Sequence, residues 1–289
     1  MSFSRKIIEV DLLLGSGPDG TSGQRRLTLS GLKAQVRIEE VGNEQMGTAT
    51  VRLAGLSPEH RNALSALNSA ALRARDNRIR IKAGDASGLA LLFQGSLQLG
   101  RIDMTAAPEA AVQLVGMAGG WDKMALAKPS AYPGATPVAR IMADLAAEMG
   151  YLFENNGVNS VLHSPSLAGP AWEKARRVAE AAAIDWCIGN GVLAIWPQGG
   201  YRTTPVVPLL SKETGLVGYP GYLTGWNGVC LTSLFNPALK LGGLVDVQSA
   251  VVGVANGRWV IRTLAHELDS ETPGGAWLSH VETIEMGAA

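Results

Sequence analysis

The sequence is poor in every residue class that would mark a charged partner or a reaction centre. Only 17% of its 289 residues are charged, and 25 basic side chains are matched by 25 acidic ones. With no net charge there is no chain-wide electrostatic footprint for nucleic acid, and only a local basic patch stays open. Little long-range repulsion opposes self-association, which suits a subunit of an assembly. The two cysteines, Cys187 and Cys230, lie far apart beside apolar or aromatic neighbours. They read as buried free thiols, with a disulfide as the alternative. No apolar run approaches the roughly eighteen residues needed to span a membrane. Met1–Lys6 leads into an alternating strand and not into the apolar core of a signal peptide, so the expectation is a chain that folds in a cytoplasm without a membrane partner.

Catalytic signatures are missing as well. There is no Gly-x-Ser-x-Gly elbow, no phosphate loop ending in Gly-Lys-Ser/Thr and no His-Glu-x-x-His. The 35 glycines are scattered as turn residues, and none follows a strand and opens a helix in the dinucleotide pattern. No residue is assigned a catalytic, cofactor-binding or metal-binding role, and the chain reads as a non-enzyme.

What is present is strand after strand. In residues 1–128, Ile8, Val10 and Leu12 alternate with Glu9 and Asp11, which is strand periodicity. A Gly/Ser/Pro-rich loop comes next over Gly15–Gly23, then strands near Arg25–Ser30, Lys33–Glu40, Thr48–Ala54, Asn77–Ala83, Leu89–Leu97 and Ala110–Met117. One helix interrupts them, with Ser57 as N-cap, Pro58 at the first helical position and an apolar stripe of Leu64, Leu67, Ala71 and Leu72. This describes a β-barrel with a helix on it. Residues 129–204 change character. Helices are expected after Thr136-Pro137, ending at Gly150, and after Gly169-Pro170, with a strand at Tyr151–Glu154 and a hairpin turning at Gly189-Asn190-Gly191. This is a small α/β module, and the Gly- and Pro-bearing linker Pro197–Pro208 leads out of it. Residues 205–289 return to short strands punctuated by turns, the last two closed by Pro273-Gly274-Gly275 into a hairpin. The fold class is therefore α+β and mainly β, with two β blocks flanking an α/β insert.

Four groups of residues invite a sharper reading. His266 and His280 would face each other across the last hairpin, and Cys230 or Glu267 could complete a zinc site; polar sheet positions are the default. Glu148, Glu154 and Glu173 raise a glycosidase, which needs two carboxyls across a cleft, one with a raised pKa. They fall on helix and strand surfaces without a recognisable spacing and read as solvated. Trp172, Trp186 and Trp196 are read as core, with an aromatic platform for sugars or bases as the alternative. Arg78-Ile79-Arg80-Ile81-Lys82 places its bases on one strand face, read as a solvated outer or edge face over a phosphate-binding strip.

Laid end to end, the chain resembles the baseplate hub proteins of contractile-tailed bacteriophages. The resemblance is carried by Thr214-Gly215-Leu216-Val217-Gly218-Tyr219-Pro220, Leu234-Phe235-Asn236-Pro237, Gly257-Arg258-Trp259 and Pro273-Gly274-Gly275-Ala276-Trp277. Ile79-Arg80-Ile81-Lys82-Ala83-Gly84 and Leu92-Phe93-Gln94-Gly95 look like a paired motif of hub N-terminal barrels, with Asp85 where an aromatic is common. The resemblance implies two tail-tube-like antiparallel barrels, residues 1–128 and 205–289, around the insert. It implies a homotrimeric ring that joins the central spike to the six-fold tail tube and surrounds the channel. Baseplate wedge proteins would lie outside and the tape-measure protein within, and DNA would pass without tight binding. The place would be the virion's tail baseplate, assembled in the host cytoplasm. A tail-associated protein that binds or degrades cell wall is the alternative function. The hub of a siphophage, a tailocin or a secretion system would share the fold.

Overall fold

The computed structural model describes residues 5–14, 25–43, 45–65, 77–105, 109–125, 127–225 and 227–287. The loop expected over Gly15–Gly23 and the stripe positions Leu67, Ala71 and Leu72 lie outside the described residues.

Alternation governs the first part of the chain. Its strands are β1 (Ile7–Leu14), β2 (Arg25–Ser30), β3 (Lys33–Val41), β4 (Thr48–Ala54), β5 (Arg78–Asp85), β6 (Gly88–Asp103) and β7 (Ala111–Met117). They are antiparallel neighbours in the order β3-β4-β7-β6-β5-β1-β2. Every second side chain points inward, so Val10, Leu12, Val36, Ile38, Val51, Leu53, Ile79, Ile81 and Leu114 are buried. β6 outruns its expected end at Leu97 through a bulge between Leu97 and Leu99, which lets it follow β7 to Asp103. Helix α1 (Pro58–Ser65) packs on β6 and β7 with Leu64 buried. Ser57 caps it: its Oγ accepts the His60 N–H at 3.3 Å and its carbonyl accepts the Arg61 N–H at 2.9 Å. On the basic face of β5 Arg78 and Arg80 are exposed as expected, while Lys82 is half-buried against Glu9 and Asp11, and β5 is no edge. It is hydrogen-bonded to β1 and β6, and the outer position falls to β2.

In the middle of the chain the period changes to that of a helix. The elements are β8 (Ser130–Ala131), β9 (Ala135–Pro137), α2 (Val138–Met149), β10 (Leu152–Asn155), β11 (Val161–His163), β12 (Ser166–Leu167), α3 (Ala171–Ala182), β13 (Ile184–Gly189) and β14 (Val192–Pro197). β14 lies between β10, which is parallel to it, and β13, which is antiparallel. The short strands pair as β9 with β11 and β8 with β12. Each helix begins directly after a proline, Pro137 or Pro170, and α2 stops at Gly150, whose φ of 80° is left-handed. The β13–β14 turn puts Asn190 at φ 53° and Gly191 at φ 80°, the two positive angles of a type I′ turn. Ile141, Met142, Leu145, Trp172, Ala175 and Val178 form a core with Trp186, Leu193 and Ile195.

The last part holds β15 (Leu209–Leu210), β16 (Leu216–Leu223), β17 (Gly228–Leu234), β18 (Leu244–Val247), β19 (Gly257–Ser270) and β20 (Trp277–Ile284), ordered β16-β17-β20-β19-β18-β15. Val229, Leu231, Val245, Val247, Ile261, Leu264 and Val281 make its core. The chain forms two compact units. The first takes the described residues up to Glu39, Thr48–Trp121 and His266–Trp277; the second takes Glu40–Gly47, Asp122–Ala265 and the described residues from Leu278 on. Strand β19 is thus divided between the two, and the turn that follows it belongs to the first. In the first unit the end of β19 borders β3, and the Ser270 hydroxyl donates to the Leu32 carbonyl at 3.0 Å. Beyond that turn, Arg5 pairs with Glu271 at 2.7 Å and Lys6 donates to the Gly275 carbonyl at 3.0 Å.

The protein is mostly β, with large antiparallel pairing, in accord with the expectation from its alternation. Among the described strands no pairing closes either run into a ring. No described helix is long and apolar enough to cross a membrane.

Candidate functional site

The three glutamates singled out in the sequence are not free carboxyls facing a cleft. Each is held by a cation. Glu148 on α2 receives the Lys174 ammonium at 3.2 Å. Lys174 is fully buried on α3, and its Nζ also donates to the Lys128 carbonyl at 2.5 Å and the Ser130 hydroxyl at 3.2 Å. Glu154 on β10 takes both arms of Arg202, at 2.7 and 2.8 Å, and an Asn156 amide at 2.9 Å. Glu173 pairs with Arg176 at 2.6 Å. The Arg202 and Arg176 hydrogen bonds hold the Glu154 and Glu173 carboxyls below the usual range, opposite to what a general acid needs. Glu148 is exposed as expected, while Glu154 and Glu173 are half-buried against their arginines.

Two devices fasten connecting segments to the α/β module. Arg202 anchors the linker after β14, its backbone N–H donating to the Gly242 carbonyl at 2.7 Å. Asn43, at φ 63°, covers the open side of β13. Its N–H donates to the Trp186 carbonyl at 2.8 Å, its amide to Asp185 at 2.9 Å, and its Oδ1 accepts the Trp186 N–H at 3.1 Å. Beside this clasp lies a cavity of about 380 Å³, floored by Trp196, Leu241 and Ile261 and edged by Asp185, Gln198 and Glu285. Trp172, Trp186 and Trp196 are all buried, the first two with ring centroids 5.6 Å apart. That makes them core and overturns the aromatic platform.

His280 faces Thr232 on β17, with Nδ1 3.2 Å from its hydroxyl, and Cys230 faces Glu282. His266 is buried. Among the described residues no group of three His, Cys, Asp or Glu side chains gathers as a metal site. Both cysteines are free thiols. Cys187 is buried, as expected, and the loss of hydration pushes its thiol up to about 12, while Cys230 is half-buried.

A surface missed in the sequence stands out in the structure. β16 is the outermost strand of its sheet, and from Thr214 to Leu239 no residue is charged. Val217, Tyr219, Tyr222 and Leu234 are exposed on this hairpin, Tyr219 at 67% and Tyr222 at 60%. Edge strands left in solvent are normally guarded by charge. This one has only a bulge between Val217 and Gly221, together with Pro220. The signal was readable as a charge-free run.

Comparison with known proteins comes to the same architecture from outside. A family model described as baseplate hub gp41 matches residues 7–273. No curated protein sequence matches the chain. Among solved structures, a tail protein from Neisseria meningitidis MC58 superposes with a TM-score of 0.64 at 10% identity, over 97% of each chain. The 43 kDa tail protein of prophage MuSo2 from Shewanella oneidensis gives 0.62 at 10% identity over 96% of each. The E. coli c3393 protein, a type VI secretion component described as similar to phage T4 tail proteins gp27 and gp5, gives 0.59 at 11% identity. That match covers 88% of this chain and 73% of the other.

Proposed function

The chain belongs to the baseplate hub gp41 family, and from that premise we propose that it is a structural hub subunit of a phage tail. Three copies form a ring that joins the central spike to the six-fold tail tube and surrounds the channel. In this reading residues 1–128 and 205–289 act as the two tube-like domains around the insert 129–204. Wedge proteins pack outside, the tape-measure protein meets the lumen, and the assembled virion carries the protein in its baseplate after assembly in the host cytoplasm. The role is mechanical and requires no catalysis.

The observation that carries this reading is the continuity of the family match over residues 7–273, together with a tail-protein fold over 97% of the chain. Chemistry is consistent with it, because the carboxylates suited to wall hydrolysis are neutralised by Lys174, Arg202 and Arg176. The outer strands β2 and β16 carry backbone groups unpaired among the described residues, and closing such edges against neighbours is how β subunits make rings. The test is mass determination of the purified protein by light scattering over a concentration series, with negative-stain imaging. A trimeric ring, or ring formation on adding the spike or tube protein, is the expected result. A monomer at high concentration that joins neither protein would overturn the proposal.

A further inference from the structure

Most of the basic side chains described on the strands of the first unit are held by a neighbour. Arg26 reaches Asp11 at 3.5 Å, Lys33 holds Glu109, Arg37 holds Glu39, Arg52 holds Asp103 and Lys82 holds Glu9, while Arg101 donates to Gln113. Arg78 and Arg80 are exposed and hold nothing among the described residues. They sit on β5, which is fixed on both sides by β1 and β6, and two residues of a strand are about 7 Å apart on one face. The registers place Arg26 and Arg78 on either side of Leu13, and Arg80 opposite Asp11. Together they line a concavity of about 180 Å³.

We propose that Arg26, Arg78 and Arg80 form a contact site for the phosphodiester backbone of duplex DNA. Guanidinium forks match phosphate oxygens two at a time. The same face carries Thr28, Asp11, Gln94 and Ser96 by register, with Lys82 closed onto Glu9 and Asp11, and no aromatic side chain. Without aromatics there is no stacking platform for the bases of a single strand. Nor is there the aromatic core that a protein interface favours. Backbone contact to a stacked duplex needs neither. Asp11 stays within the patch and limits it to a few phosphates, so the binding is weak and independent of sequence. The assignment stands on two exposed arginines left without a partner where the other strand bases have one, and is independent of the hub reading.

The test is anisotropy of a short labelled DNA duplex titrated with the full-length protein at two salt concentrations. Contact with three phosphates predicts about a 40-fold loss of affinity between about 50 and about 200 mM salt. Arg78→Gln with Arg80→Gln should weaken binding at least tenfold at low salt and flatten the salt slope by about two. Arg26→Gln, on another strand, should give an intermediate loss, so a folding defect in one variant does not decide the matter. Lys212→Gln, an equal change of charge elsewhere, should bind as the parent does. No binding at low salt overturns the proposal, as does equal binding by the double variant. Poly-glutamate competing as well as DNA of equal charge overturns it too, by assigning the patch to acidic proteins.

Discussion

Lys174 shows what a single residue can demand of a fold. A buried ammonium costs several kcal/mol in hydration unless its protons are all received, and here a carbonyl, a hydroxyl and a carboxylate receive them. Lys174→Ala should therefore destabilise by about 3 kcal/mol, since its partners lose their donor. Replacing both charges, Lys174→Met with Glu148→Leu, should recover most of that. Urea unfolding followed by the fluorescence of Trp172 and Trp186 measures both. The acid limb of stability belongs to this scale as well. The Glu154 carboxyl is held low by Arg202, so its contribution is present above the ordinary value of 4.5 and is lost as pH falls through the lower folded value. Glu154→Gln should flatten thermal unfolding midpoints across that acid window. Glu40 has the opposite sign. Loss of hydration pushes its carboxyl up against the pull of Lys240 and Arg202. Glu40→Gln should raise the midpoint at neutral pH, and the gain should vanish below the ordinary carboxyl range.

Individual elements were the most legible part of the sequence, because their causes are local. Ser57 and Pro58 start α1, Pro137 and Pro170 precede α2 and α3, and Asn190-Gly191 turns a hairpin. Ion pairs within a helix, such as Glu173 with Arg176, follow a spacing rule, but those between elements were not legible. Lys174 meets Glu148, 26 residues away, and Arg202 meets Glu154, 48 residues away, distances at which no spacing rule applies. The two helix ends offer a comparison. α2 turns left-handed at Gly150, whereas α3 makes the same turn at Ala183 with φ 49°, where a Cβ is strained. Ala183→Gly should stabilise by about 0.5–1 kcal/mol. Gly150→Ala should cost about 1 kcal/mol through backbone strain alone, since nothing lies within 4 Å of the added carbon. Denaturant midpoints for the two variants, measured side by side, should move in opposite directions.

For the whole molecule, the proposed ring needs a surface that is better covered than bare. The uncharged β16–β17 hairpin with exposed Val217, Tyr219 and Tyr222 has that character. Tyr219→Ser with Tyr222→Ser should leave the unfolding midpoint of the isolated chain within about 0.5 kcal/mol of the parent. Assembly, read by light scattering, should shift to higher concentration; an unchanged assembly curve would exclude this hairpin as a contact. The charge-free run was readable in the sequence, but its exposure was not, because exposure depends on which strand ends the sheet.

The hairpin of β19 and β20 gives the first unit a calendar. Its last pieces, His266–Trp277, follow all the other strands of that unit in the sequence, and until they are made β3 has no neighbour on that side. A chain cut short before His266 should accordingly fail to complete the unit that begins at its N-terminus, and limited proteolysis of such a fragment should cleave within β1–β7. Completion of the first unit thereby waits on synthesis past Trp277, and a copy that stops short of His266 leaves one side of β3 open.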